Sequence, residues 1–276
     1  MKITKKLMLA GALIALSSTT ASANDRHNSC SNLPSWSQLR SALTGARGVT
    51  GNNGLGLHMW ATIVANDGTV CAVAFTGADY RSQWLASRVI SAQKANTANG
   101  LSLSKGVTPS GSAVGTAGLA LSTANLYSAV QPGGSLFGLQ FSNPVDPDAA
   151  YEQKNGRSID PTTFGQQNDP MVGNAIGGVN VFGGGLALYG PNGVKIGAIG
   201  VSGDTSCTDH AVAWRARHSL NLDYLSGVGG VSGDTTKPDN IVFDITAGGS
   251  TSGWGHPNCA GVGTGTPVLS TLPAVQ

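Results

Sequence analysis

Apolar positions recur along this chain with two different periods, and the changes between them mark out the elements. Residues 57–77, LHMWATIVANDGTVCAVAFTG, hold two β-branched, apolar runs on either side of Asp67-Gly68. That pattern predicts an antiparallel hairpin with a type I′ turn, whose two central residues both need positive φ. Residues 179–203, VNVFGGGLALYGPNGVKIGAIGVSG, predict a second hairpin turning at Pro191-Asn192-Gly193. Between the hairpins the period lengthens. Leu85, Ala86, Val89, Ile90 and Ala92 make one helical stripe, with Thr76-Gly-Ala-Asp79 as a loose capping box and Gly100 as a stop. LSTANLYSAVQPGG predicts a second helix, ended by Pro132, and HAVAWRARHSLNLDYL a third. Leu33, Trp36, Leu39 and Leu43 fit a short amphipathic helix near the start. SLFGLQFSNP reads as a further strand, and NIVFDI as a strand-like run near the end.

Tight hairpins demand antiparallel neighbours. The element order therefore predicts an α+β fold, a single antiparallel sheet of about five strands flanked by helices. A Rossmann fold is disfavoured, because the strands come as hairpins rather than as βαβ crossovers. The stretches 101–118 and 143–178 read as loops, and one as long as the second is usually a lid or a binding loop.

The first residues change the picture by fixing the compartment. MKITKKLMLAGALIALSSTTASA has Lys2, Lys5 and Lys6, an apolar run from Leu7 to Leu16, and then Ala21-Ser22-Ala23. This is the pattern of a secretory signal peptide over residues 1–23, with an apolar run well short of the about 20 residues that span a bilayer. The expected mature protein is exported, periplasmic or extracellular, without a membrane span. Its parts are a polar segment over 24–54, a domain over 55–225 and a Gly/Ser-rich extension over 226–276. Charged residues are 11% of the 276 and the formal net charge is +2, so nothing electrostatic points to nucleic acid or an anionic membrane.

Export makes the four cysteines disulfide candidates. Three connectivities are open. Cys30 and Cys259 lie near the two mature ends, so the expectation pairs them and leaves Cys71 with Cys207. The alternative, a metal site of Cys207, His210, His256 and Cys259, lacks the spacing of a known zinc module, and zinc is not expected.

The densest chemistry lies in GAIGVSGDTSCTDHAVAWRARH, residues 197–218. Ser202, Asp204 and His210 contain every group of a nucleophile, base and orienter set. The motif is G-V-S-G-D rather than G-x-S-x-G, so the strained serine elbow is missing. Helix capping explains the corner more simply, with Ser206-Cys-Thr-Asp209 as a loose capping box. GAIGVSG lacks both the dinucleotide fingerprint and the P-loop Lys-Ser/Thr, so no nucleotide is expected. Gly197, Gly200 and Gly203, with Gly183 to Gly185, predict a sheet face that a helix or a flat ligand approaches closely. GVSGDT recurs at 230–235 without the strand-helix context, and six residues do not define a repeat. His210, Trp214 and His218 are spaced i, i+4, i+8, with Arg215 and Arg217 able to meet carboxylates. His58 lies in the first strand and His256 in GHPNC.

The block GGGLALYGPNGVKIGAIGVSGDTSCTDHAVAWRAR, with WLASRVISAQKANTANG and LALSTANLYSAVQPGGSLFGLQ upstream, resembles the GlcG/HbpS-like haem-binding family, also labelled haem-degrading. The resemblance covers roughly residues 55–225. It implies a profilin- or PAS-like layered domain, haem or another tetrapyrrole as ligand, homo-oligomeric assembly, and a role in haem handling or redox sensing. Within that frame the haem iron would take His210 and His218. Trp214, Arg215, Arg217 and His58 would complete the cofactor site. Two alternatives stay open: a haem-degrading or other small-molecule enzyme on the same fold, and a non-catalytic structural subunit.

Overall fold

The computed structural model describes residues 29–107, 117–151, 159–259 and 266–276. Residues 1–23, read above as a signal peptide, lie outside them, as do parts of the stretches 101–118 and 143–178. Among the described residues no helix is long and apolar enough to cross a membrane.

Helix α1, Trp36–Arg47, starts at Ser35 with a complete capping box: Ser35 accepts from the Gln38 N–H, and the Gln38 side chain accepts from the Ser35 N–H. Its apolar side, Leu39, Leu43 and Ala46, is buried. Strands β1 (Trp60–Ala65), β2 (Val70–Phe75), β3 (Gly185–Gly190) and β4 (Val194–Ser202) form one antiparallel sheet in the order β2-β1-β4-β3. The two expected hairpins therefore meet through their inner strands.

Side chains alternate across the sheet, and each face has its own helices. Ala61, Ile63, Leu186, Leu188, Ile199 and Val201 share one cluster with α1 and with helix α5, Ser206–Ser219. Trp60, Val64 and Ala198 share the other with helix α2, Ser87–Leu101. The result is three layers: helices, sheet, helix. The glycines explain how close the α2 layer lies. A methyl group on Gly200 would overlap the Ser91 carbonyl, and one on Gly185 the Lys94 carbonyl. The glycine-smoothed face of the sheet is thus occupied by a helix rather than open to a flat ligand.

Several local expectations need correction. The first hairpin turns through an Ala65–Gly68 bond of 2.9 Å with only Gly68 at positive φ (85°), so it is a type I turn with a bulge at Gly68 rather than type I′. Helix α2 starts at Ser87 with no side-chain cap, because Thr76–Ala86 fold into tight turns in which the Gln83 side chain ties Gly77 to Asp79. Gly100 lies inside α2 rather than ending it. SLFGLQFSNP is a run of turns broken by Gly138 at φ 91°, with Phe137 and Phe141 exposed. The main sheet has four strands, not about five. NIVFDI contributes only β5, Ile245–Thr246, paired with β6, Gly249–Ser250, in a separate ribbon. LSTANLYSAVQPGG gives a 3-10 turn and the short helix α3, Leu126–Ala129.

Both disulfides join other partners than expected: Cys30 with Cys71, and Cys207 with Cys259. Cys71 lies on the outer strand β2, next to the segment leading into α1. Cys207 is the second residue of α5, where the C-terminal extension passes. Closeness in sequence to the two chain ends carried no information about which elements stack.

Two long segments are pinned by buried ion pairs. Arg88 on α2 donates through Nε to Asp169 at 2.8 Å, and Asp169 also takes the Gly165 and Met171 N–H groups. This folds residues 159–178, with helix α4 (Pro147–Tyr151), against α2. On the other side Arg217 makes a two-point contact with Asp239, and both are fully buried. Ile241 and Val268, Leu269 and Leu272 around helix α6 (Thr266–Ser270) complete the α1/α5 cluster. Among the described residues after 225, Ile241, Val268, Leu269 and Leu272 are therefore part of the core.

Candidate ligand cleft between two helices

Helix α5 carries most of the residues singled out in the sequence, and its start decides their register. Thr205, in extended conformation, caps it by accepting from the Thr208 N–H. The cap is therefore one residue earlier than expected. Asp209 does not cap: it pairs with buried Lys94 at 2.7 Å and takes the Asp204 N–H. Asp204 holds the Leu55 and Leu57 N–H groups, and Ser202 donates to Ser87. Ser202, Asp204 and His210 consequently do not converge on one proton path.

An α-helix turns about 100° per residue, so i and i+8 differ by about 80° around the axis. That drift separates the two histidines. His210 is fully buried with neither ring nitrogen hydrogen-bonded, its ring 5.9 Å from that of Trp214. Burial pushes its pKa down to about 3, so the ring is neutral at ordinary pH. Trp214 is interior and donates to the Pro273 carbonyl at 3.0 Å. Arg217 lies beneath it, 4.7 Å from the ring centroid, and is committed to Asp239. His58 bonds Thr76 at 3.0 Å at the entry to β1, and is not among the residues lining the cavity described next. Of the proposed metal set, Cys207 and Cys259 are bonded to each other, with His256 nearby.

His218 and Arg215 have a different setting. They line a cavity of about 540 Å³ between α1 and α5, together with Ala42, Gly45, Val49 and Leu220. The volume falls within the range of about 300–1,000 Å³ usual for cofactor sites. The His218 side chain is 40% exposed, and its Nδ1 lies 2.7 Å from Oδ2 of buried Asp223. A carboxylate only accepts, so Nδ1 carries the proton, and Nε2 is the nitrogen that has the lone pair in the neutral ring. Such a histidine has its ring orientation fixed, as a metal ligand requires. Arg215 is partly buried, and its hydrogen bonds go to neutral groups, Asn52 Oδ1 at 3.1 Å and Thr271 Oγ1 at 2.8 Å. Desolvation lowers its pKa, and an anion from a ligand would offset that cost. Gly45 has open space where a side chain would extend.

Sequence reading did not find Asp223, Asn52 or Gly45. Asp223 has a faint local signal. Asn221, at φ 57°, reverses the chain after α5 and returns the carboxylate to His218. Nothing periodic marks Asn52 or Gly45, which reach the cleft by tertiary packing alone.

Fold and cleft together define an antiparallel α+β domain with a helix-walled hollow holding one carboxylate-oriented imidazole. The chain belongs to the HbpS-like family, described as haem degrading protein HbpS-like, whose model matches residues 37–218. Comparison with curated proteins finds no match. Among solved structures it is similar to Klebsiella pneumoniae protein ORFY, with 23% identity over 67% of this chain and 86% of that one and a TM-score of 0.39. It is likewise similar to a PduOC:heme complex, with 22% identity over 67% and 91% of the two chains and a TM-score of 0.41.

Proposed function

We propose that this chain binds haem, or a tetrapyrrole of the same shape, in the cleft between α1 and α5. The His218 Nε2 is the iron ligand and the Arg215 guanidinium faces a propionate. The observation that carries the reading is the His218–Asp223 pair at the edge of a hollow of cofactor size. Membership of a family described by haem degradation supports the choice of ligand. When bound, haem supplies a redox-active iron, and the chain supplies one carboxylate-oriented imidazole, one unneutralised cation and an apolar wall from Ala42, Val49 and Leu220.

Titration of the purified protein with haemin tests this. A red-shifted Soret band saturating at one equivalent, and lost in His218→Ala, is expected. Equal spectra for the wild type and that variant would remove the assignment. Haem turnover is the second reading, favoured by one observation: His218 is the only imidazole among the described lining residues, so the chain would supply one iron ligand rather than two. Supplying a reductant and looking for an open-chain tetrapyrrole separates turnover from storage or sensing. The chain is read as acting outside the cytoplasm, supported by its two disulfides.

A further inference from the structure

A second constellation stands at the other end of α5. Ser206 is the first residue of the helix, and its Oγ lies 2.7 Å from Nε2 of His256. Nδ1 of the same ring lies 2.7 Å from the Pro257 carbonyl oxygen. A carbonyl only accepts, so Nδ1 holds the proton and Nε2 is the free base facing the serine hydroxyl. His256 is 4% exposed, and its ring lies 5.4 Å from that of Tyr127 between centroids, tilted by 57°. Burial lowers its pKa, which keeps it unprotonated at neutral pH. Ser206 itself is only partly buried.

We propose that Ser206 is a nucleophile activated by His256, acting on carboxylic esters or thioesters. The hydroxyl proton passes to His256 Nε2 as Oγ bonds to the acyl carbon and the carbonyl π pair moves onto oxygen. Collapse expels the alkoxide or thiolate, which takes the proton from Nε2. Water, deprotonated by the same imidazole, then attacks the acyl-serine and restores the hydroxyl.

Three further features fit this chemistry. The Thr205 cap takes the Thr208 and Asp209 N–H groups, so the first-turn N–H groups of Ser206 and Cys207 are the ones left to face developing negative charge. Phe182, 52% exposed, adjoins Gly183, whose N–H donates to Ser206 Oγ at 2.6 Å, and it gives an apolar surface for the acyl group. The Cys207–Cys259 disulfide clamps the two partners, one cysteine directly after Ser206 and the other three residues after His256. This site does not depend on the haem cleft.

The test uses the exported protein with its disulfides intact. A fluorophosphonate probe followed by peptide mass analysis should modify Ser206 in the native protein and not in urea-denatured protein. Release of p-nitrophenolate from p-nitrophenyl acetate should fall at least tenfold in both Ser206→Ala and His256→Gln. The glutamine keeps much of the bulk but accepts no proton. Native Ser206 left unmodified, or release unchanged in both folded variants, would overturn the proposal. The native-against-denatured contrast decides even where a variant does not fold.

Discussion

Nδ1 of His218, at the last turn of α5, lies 2.7 Å from Oδ2 of Asp223, which is 1% exposed. The carboxylate thus aims an imidazole at the cleft between α1 and α5 while staying out of solvent itself. If the imidazole is the haem ligand, the partner that orients it matters almost as much as the ligand. Asp223→Asn should weaken haemin binding by about 10- to 100-fold. His210→Leu should leave it unchanged, since His210 is fully enclosed and does not line the cleft. Titrations followed at the Soret band compare the two; a larger loss for His210→Leu would reverse the assignment.

Gly45 offers a test that touches no ligand. It lies on the exposed side of α1, with nothing near the position of an added side chain, and it borders the cavity. Leucine there favours the helix by up to about 1 kcal/mol over glycine. Gly45→Leu should therefore keep or slightly raise the melting temperature while abolishing saturable haemin binding. A variant that melts normally and binds normally would show that the cleft is not the site.

How much of this was legible in the sequence depends on whether a pattern is local. Hairpins 57–77 and 179–203 and helices α1 and α5 announce themselves because alternation, turn residues and capping lie within a few positions of one another. The disulfides and the cleft do not, since Cys30 meets Cys71 and Arg215 meets Asn52 only after layers stack. SLFGLQFSNP shows the opposite failure. Its apolar content suits a strand, but Gly138 at φ 91° breaks the run, and Phe141 is left 79% exposed. The glycines of β3 and β4 were readable as a site of close approach. Which object approaches, α2 rather than a ligand, was not.

The disulfide pairing is directly measurable. Digestion of unreduced protein should yield linked peptides Cys30–Cys71 and Cys207–Cys259, and thiol titration of denatured, unreduced protein should find no free thiol. These bridges span 41 and 52 residues. In the chain-entropy model each stabilises by about 4 kcal/mol. Converting one pair to serines should lower stability by about 2–4 kcal/mol in denaturant unfolding.

Asp239 gives a measure of how firmly the C-terminal extension belongs to the core. It faces Arg217 with both side chains fully enclosed. Asp239→Asn removes the counter-charge and leaves a buried guanidinium, which costs about 3–5 kcal/mol. Truncation after residue 225 should do more, because it also strips Ile241, Val268, Leu269 and Leu272 from the α1/α5 cluster. Retained cooperative melting in the truncated chain would show the extension to be dispensable.

The enclosed His210 makes stability depend on pH in a direction fixed by its burial. Its ordinary value is 6.5, and desolvation pushes the folded value down to about 3. Between these values the unfolded chain binds a proton that the folded chain refuses, so folding weakens as pH falls through the interval. The contribution is fully present above about 6.5 and is lost towards 3. The slope within the window approaches about 1.4 kcal/mol per pH unit. His256 shifts in the same direction, whereas Asp209, raised to about 6, opposes it between that value and 3.8. Both remain in His210→Leu, so the difference between wild type and variant isolates His210. Urea unfolding of the two proteins at several values from pH 7 to 4 should show the wild type losing stability faster on acidification. Parallel curves would mean that His210 takes up its proton while still folded.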